Sequence, residues 1–120
     1  MRVAIKRVYE PACDTDGRRI LVDRLWPRGL SKQEARLDGW ARSAAPSDEL
    51  RRWYHRDPDK FAEFRRRYRR ELEERPEALL ELRSHLGSGK VTLVFASREE
   101  VRNNAAVLRE LLQEGTGEGD

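Results

Sequence analysis

This 120-residue chain has one cysteine, two histidines, four lysines and no long apolar run, so it lacks much of what usually carries chemistry. With Cys13 alone, no intrachain disulfide can close, and nothing resembles the apolar core of a signal peptide, so a reducing cytoplasm is the expected home. No stretch approaches the roughly 20 apolar residues that cross a bilayer, and no membrane association is expected. Two histidines, one cysteine and no Glu-x-x-His pair argue against a dedicated metal site. No glycine-rich loop follows a strand, so no nucleotide cofactor is expected.

Charge is abundant: Asp, Glu, Lys and Arg make up 39% of the chain, against roughly a quarter in an average soluble domain. The 25 basic and 22 acidic residues leave a net charge of +3, too little for indiscriminate polyanion binding. Of the basic residues 21 are arginine, which favours planar, bidentate contacts wherever one of them is functional. The apolar share of 38% supports one core, and the length leaves room for one domain, expected over 1–114 with a glycine-rich acidic tail over 115–120 left disordered.

Three strands are expected. Residues 2–9 are rich in β-branched and aromatic positions and end at Glu10-Pro11. Residues 18–26 contain the continuous run Ile20-Leu21-Val22, as in a strand covered on both faces, and 91–96 have the same character after Gly87-Ser88-Gly89. Helical spacing takes over between the last two. Phe61, Phe64, Tyr68 and Leu72 form one stripe behind Asp57-Pro58, and Leu79, Leu82 and Leu86 follow Pro76 and stop at Gly87. Shorter helices are expected to begin near Ser31, with Glu34 three residues on, and near Ser47. Ser97 and Glu100 read as a capping box that sends the third strand directly into a helix bearing Val101, Ala105, Leu108 and Leu112.

Candidate site residues gather at strand ends, where open α/β sheets place their ligands. In Asp23-Arg24-Leu25-Trp26-Pro27-Arg28-Gly29, the two arginines can grip a phosphate or carboxylate, Trp26 can stack on a planar group and Gly29 can let backbone approach closely. The competing reading pairs Asp23 with an arginine and sends Trp26 into the core. Ser97 and Arg98 end the third strand at what reads as a helix start, a natural anion site, although Ser97 is explained equally as a cap. His55, flanked by Trp53, Tyr54 and Arg56, is a candidate general base, whereas His85 in the last turn of a leucine helix reads as structural.

Two patterns invite readings that their surroundings oppose. Cys13 and Arg19 have the spacing of a cysteine-phosphatase loop, but Asp14 and Asp16 lie inside it and it leads into a strand instead of a helix, so that chemistry is rejected. The run Arg65-Arg66-Arg67-Tyr68-Arg69-Arg70 suggests nucleic acid. However, Glu63, Glu71, Glu73 and Glu74 stand four residues from Arg67, Arg67, Arg69 and Arg70, so an ion-paired solvated face is favoured.

Taken together, Lys6-Arg7-Val8-Tyr9, Leu21 to Gly29, Ala45-Pro46-Ser47 and Trp53-x-His55-x-Asp57-Pro58 resemble the YeaO-like bacterial proteins, a family of unknown function, to about Leu112. The resemblance implies a compact three-layer α/β domain with a small, mainly parallel sheet. The strands alone leave the direction of the first two open, since only about eight residues separate them where a parallel crossover usually takes a dozen. More distant relatives carry Cys and His after the last strand, where this chain has Arg102-Asn103-Asn104, so thiol or metal chemistry does not transfer.

The leading expectation is that Arg7, Arg24, Arg28, Ser97 and Arg98 bind a small anionic, phosphate- or carboxylate-bearing ligand with Trp26 and Gly29 beside them, and that Asp23 and His55 serve as acid–base groups if there is turnover. The alternative is a non-catalytic interaction module that meets a protein or nucleic acid through the Arg51–Arg70 face, a nucleic acid being the less expected partner.

Overall fold

The structure, a computed structural model, describes residues 2–117. Four parallel strands, β1 (Val3–Arg7), β2 (Arg18–Leu21), β3 (Gly39–Trp40) and β4 (Val91–Phe95), form one sheet in the order β1-β4-β2-β3. The helices are α1 (Lys32–Ala35), α2 (Asp48–His55), α3 (Phe61–Glu74), α4 (Pro76–Ser84) and α5 (Asn104–Gly117). The α/β class and the parallel sheet match expectation, with one strand more. β3 is two residues long, too short for any alternation to announce it. α5 runs past the expected boundary at Gly115, and the remainder of the expected tail, 118–120, lies outside the described residues.

The question about the first two strands resolves through β4, which lies between them and pairs with both. β1 and β2 therefore stand about 10 Å apart, two interstrand spacings. Residues 8–17 must climb back along the sheet and across β4, and ten extended residues reach roughly 33 Å, so no helix is needed. The crossover includes one 3-10 turn, Asp14–Asp16, and enters β2 through Gly17 at φ 68°, ψ −143°, a region almost reserved for glycine.

One face of the sheet is thickly covered. Val3, Ile20, Val22, Val91, Leu93 and Phe95 pack against Leu50 and Tyr54 of α2, Phe64, Tyr68 and Leu72 of α3, Ala78 and Leu82 of α4, and Ala105, Leu108 and Leu112 of α5. The Phe61–Leu72 stripe thus does what its spacing predicts, behind an Asp57 whose carboxylate accepts the Asp59 amide. Ser31 with Glu34 and Ser47 cap their helices as read. The opposite face is thin: Leu21 and Val94 meet Val8, Ala35, Trp26, Leu30, Leu37 and Trp40.

Where the crossover covers that thin face, the core is ionic. Asp16, 6% exposed, accepts from Lys6 Nζ at 3.1 Å, Arg19 Nη1 at 2.7 Å and the Cys13 amide at 3.0 Å, while its carbonyl accepts from Thr92 of β4 at 2.7 Å. Burial pushes the Asp16 carboxyl upward, but Lys6, the Cys13 amide and Arg19 outweigh it and hold it below the usual range. One aspartate therefore ties the crossover to β1 and β2 through its carboxylate and to β4 through its carbonyl.

The expected helix start at Ser97 is corrected by the structure. Ser97 Oγ accepts only the Glu99 amide in a local turn, Val101 is 75% exposed, and α5 starts at Asn104, with Asn103 Oδ1 accepting the Ala106 amide at 2.9 Å. The reason is tertiary: Arg7 holds the carbonyls of Ala96 and Ser97, and Asp23 holds the Ala96 amide, pinning the segment out of helical geometry.

Asp16→Asn should destabilise the domain by about 3 kcal/mol at neutral pH, because Lys6 and Arg19 lose their buried anion. A carboxyl depressed on folding contributes stability above its unfolded pKa of about 3.9 and loses it as pH falls through the folded value. The gap between wild type and variant should thus narrow on acidification in urea titrations at pH 3 and 7. Gly17→Ala should cost about 3 kcal/mol or more in the same assay, since strained backbone of this kind alone costs 1–3 kcal/mol and the added Cβ would lie 2.2 Å from the Lys90 carbonyl oxygen.

Candidate functional site

The C-terminal end of the sheet is organised by Asp23, two residues past the end of β2. Asp23 Oδ2 accepts the Ala96 amide at 2.8 Å, Oδ1 accepts Asn104 Nδ2 at 3.1 Å, and its carbonyl accepts Trp40 Nε1 at 2.7 Å. The same Asn104 amide donates to the Val22 carbonyl at 3.0 Å. The ends of β2, β3 and β4 and the start of α5 are joined through one side chain and its backbone. Burial is the largest influence on this carboxyl and raises its pKa, against the Ala96 amide, Asn104 and the charge of Arg51. Both oxygens are engaged by donors within the fold.

On the other side of β4, Arg7 and Tyr9 do similar work. Arg7 Nε donates to the Ser97 carbonyl at 2.9 Å and Nη2 to the Ala96 carbonyl at 3.3 Å, and its guanidinium lies 5.2 Å from the Tyr9 ring centre. Tyr9 Oη donates to the Arg28 carbonyl at 2.8 Å. The loops carrying Arg28 and Arg98 are both fastened to the end of β1 in this way. The side chains of Arg28 and Arg98 themselves are exposed and have no hydrogen-bonding partner among the described residues.

The remaining expected residues divide differently. Arg24 turns toward α2, with Nε 3.8 Å from Asp48 Oδ1, and Arg51 meets the same carboxylate at 3.7 Å. Trp26 donates Nε1 to the Leu30 carbonyl at 2.6 Å and meets Trp40 edge-on at 5.6 Å, so its ring fills the thin layer. Gly29 has φ 77° and open space where a Cβ would go, so the turn, not close approach, uses its freedom. His55 is exposed at the far end of α2, about 10 Å along the helix axis from Asp48, and no contact joins it to Asp23. His85 packs on Gly39, whose Cβ would fall 2.5 Å from its Nδ1, in keeping with a structural role.

The arginines of α3 are largely consumed, partly by partners other than those the spacing suggests. Arg67 pairs with Glu63, as spaced, and stacks 4.5 Å over Trp53, but Arg65 reaches Glu110 at 2.7 Å and Arg69 reaches Glu114 at 2.9 Å on α5. Glu71 instead accepts the backbone amide and hydroxyl of Ser47. Among the described residues no group of three or more His, Cys, Asp or Glu side chains is placed to hold a metal, and no helix is long and apolar enough to cross a membrane.

Asn104 and Tyr9 are the organisers that reading by residue type passes over, since a helix-starting asparagine looks like a cap and a tyrosine beside a strand looks like packing. Asp23→Ala should cost about 2 kcal/mol by stranding the Ala96 and Asn104 donors. A carboxyl raised on folding contributes fully below its unfolded pKa and loses that contribution as pH rises through the folded value. The penalty measured by urea titration should therefore widen on acidification, opposite in sign to that at Asp16.

The chain matches the model of the DUF488-N3i family, described as the inactive DUF488-N3 subclade, over residues 2–120. It is 49% identical over 111 residues to the uncharacterized protein Rv3073c of Mycobacterium tuberculosis, covering 92% of this chain and 93% of that protein. It is 39% identical over 113 residues to the uncharacterized protein YeaO of Escherichia coli, covering 94% and 98%. No solved structure matches. A match along the whole chain, with two relatives above 30% identity, makes this protein a member of the YeaO-like family, within the subclade described as inactive.

Proposed function

We propose that this protein binds a small oxyanion, phosphate- or carboxylate-bearing, between Arg28 and Arg98 at the C-terminal end of the sheet, without turning it over. The observation that carries the reading is a pair of guanidinium groups, exposed and unpartnered, on two loops that Tyr9 and Arg7 fasten to the end of β1. Prefixed loops reduce the ordering cost of capture, and arginine suits planar or tetrahedral oxyanions.

Several features favour binding over catalysis. Asp23 spends both oxygens on the fold, and His55 stands apart from it. The stretch where distant relatives carry Cys and His holds Asn103 and Asn104, whose amides cap α5 and brace Asp23. The family description, an inactive subclade, agrees with that. Arg24 belongs to the α2 ion cluster in this reading and is not a ligand group.

The alternative, an interaction module on the Arg51–Arg70 face, keeps exposed Arg52, Arg56, Arg66 and Arg70, but Arg65, Arg67 and Arg69 are matched within the chain. On this reading, labelled DNA or RNA should show no retardation even at low salt, where phosphate contacts are strongest.

A thermal-shift screen against phosphate, nucleotides, sugar phosphates and small carboxylates tests the anion site. A ligand at a hundred times its Kd adds about 2.7 kcal/mol, a rise of several degrees in Tm for a domain of this size. The expected outcome is that one anion class gives that shift in wild type and in Arg24→Ala, and gives none in the Arg28→Ala, Arg98→Ala double variant. An undiminished shift in the double variant would remove the proposal.

A further inference from the structure

A second basic feature lies at the opposite end of the sheet. The loops that precede β2 and β3 border an open pocket of about 440 Å³ lined by Cys13, Asp14, Arg19, Arg36 and Asp38 with neighbouring residues. Arg19 forms its inner wall and is only 3% exposed. Its Nη1 is spent on Asp16 at 2.7 Å and its Nε on the Ala35 carbonyl at 3.0 Å, but Nη2 is buried and has no partner. A buried guanidinium donor left unpaired is costly, and the group that relieves the cost is an acceptor oxygen inside the pocket.

The charges around it indicate which oxygen. Lys6, Arg19 and Asp16 together carry one net positive charge behind the wall, and exposed Arg36 adds another with no partner among the described residues. Asp14 and Asp38 line the same pocket and oppose an incoming dianion. Asp38 is partly committed, accepting the Arg19 amide at 2.8 Å. A planar monoanion that takes one hydrogen bond from Arg19 and one from Arg36 suits this balance better than a phosphate.

We propose that this pocket is a binding site for a small carboxylate, with Arg19 Nη2 as the buried donor, Arg36 as the outer clamp and the Cys13 thiol at the mouth. The site is separate from Arg28 and Arg98, which stand at the other ends of the strands. Cys13 makes it measurable. It is exposed, is the only cysteine of the chain, and holds its sulfur 3.0 Å from Thr15 Oγ1, a hydrogen bond that lowers the thiol pKa and favours the reactive thiolate.

Iodoacetate and iodoacetamide provide the test, because they deliver the same carbon to sulfur and differ only in carrying a carboxylate or a neutral amide. In either case the Cys13 thiolate forms the S–C bond and iodide leaves. Thiols free in solution react with the neutral reagent at least as fast. In the native protein, iodoacetate should be favoured over iodoacetamide, relative to the same protein in urea, by about tenfold, the worth of one charge-assisted hydrogen bond. Its rate should saturate, and acetate should protect Cys13 more strongly than phosphate does. Arg36→Gly should remove the preference without unfolding the chain, since Arg36 sits at φ 47°, a conformation that glycine adopts freely. Arg28→Ala with Arg98→Ala should leave it intact. Equal native and unfolded ratios, protection by phosphate as strong as by acetate, or a preference that survives Arg36→Gly would each overturn the assignment.

Discussion

The structure depends on a short connection. β1 and β2 are parallel, β4 is inserted between them, and residues 8–17 alone return the chain across it. A helical crossover would have brought an apolar stripe to cover the sheet. Ten extended residues bring none, so the gap beneath them is filled by Asp16 and its two cations. A buried carboxylate is tolerated only when its charge is met, and Lys6, Arg19 and the Cys13 amide meet that of Asp16, while Thr92 donates to its carbonyl, from three strands and the loop. The asymmetry of the layers follows: α2 to α5 crowd one face, while the other is covered by α1, two tryptophans and ions.

A second aspartate does the complementary work at the other end. Asp16 secures the entry to β2, and Asp23 secures its exit, taking the Ala96 amide and the Asn104 side chain. The two carboxyls are shifted in opposite directions because burial outweighs the amide donors at Asp23, whereas at Asp16 Lys6, the Cys13 amide and Arg19 outweigh burial. Both aspartates are thus committed to architecture, one at each end of β2.

Much of this order was legible in the residues. The apolar runs at Ile20-Leu21-Val22 and Val91–Phe95, the Phe61–Leu72 stripe and the caps at Ser31, Ser47 and Asp57 announce themselves, because each acts within a turn or two of its own position. What failed was local chemistry overruled from a distance. Ser97 with Glu100 has the pattern of a helix start, yet Arg7 and Asp23, 90 and 73 residues away from the backbone groups they hold, fix that backbone otherwise. β3 escaped notice because two residues show no period. Of the expected site residues, Arg28 and Arg98 stay free, Arg7 and Arg24 are engaged by the fold, and Trp26 packs inward. The Cys13–Arg19 spacing, rejected as a phosphatase loop, nevertheless placed both side chains on one pocket.

The two-residue length of β3 also bears on how copies of the molecule meet in a crowded cell. An open sheet invites another chain to add a strand at its rim, and the usual defence is to make the outermost strand short or charged. Here the β3 rim offers Gly39 and Trp40 alone, with Trp40 capped by the Arg42 guanidinium 4.7 Å away, and the β1 rim carries Lys6 and Arg7, both drawn into internal bonds. Neither rim gives an incoming strand a long, flat template. A chain with so little apolar reserve is thus protected from sheet-to-sheet aggregation by geometry, at no cost to its core.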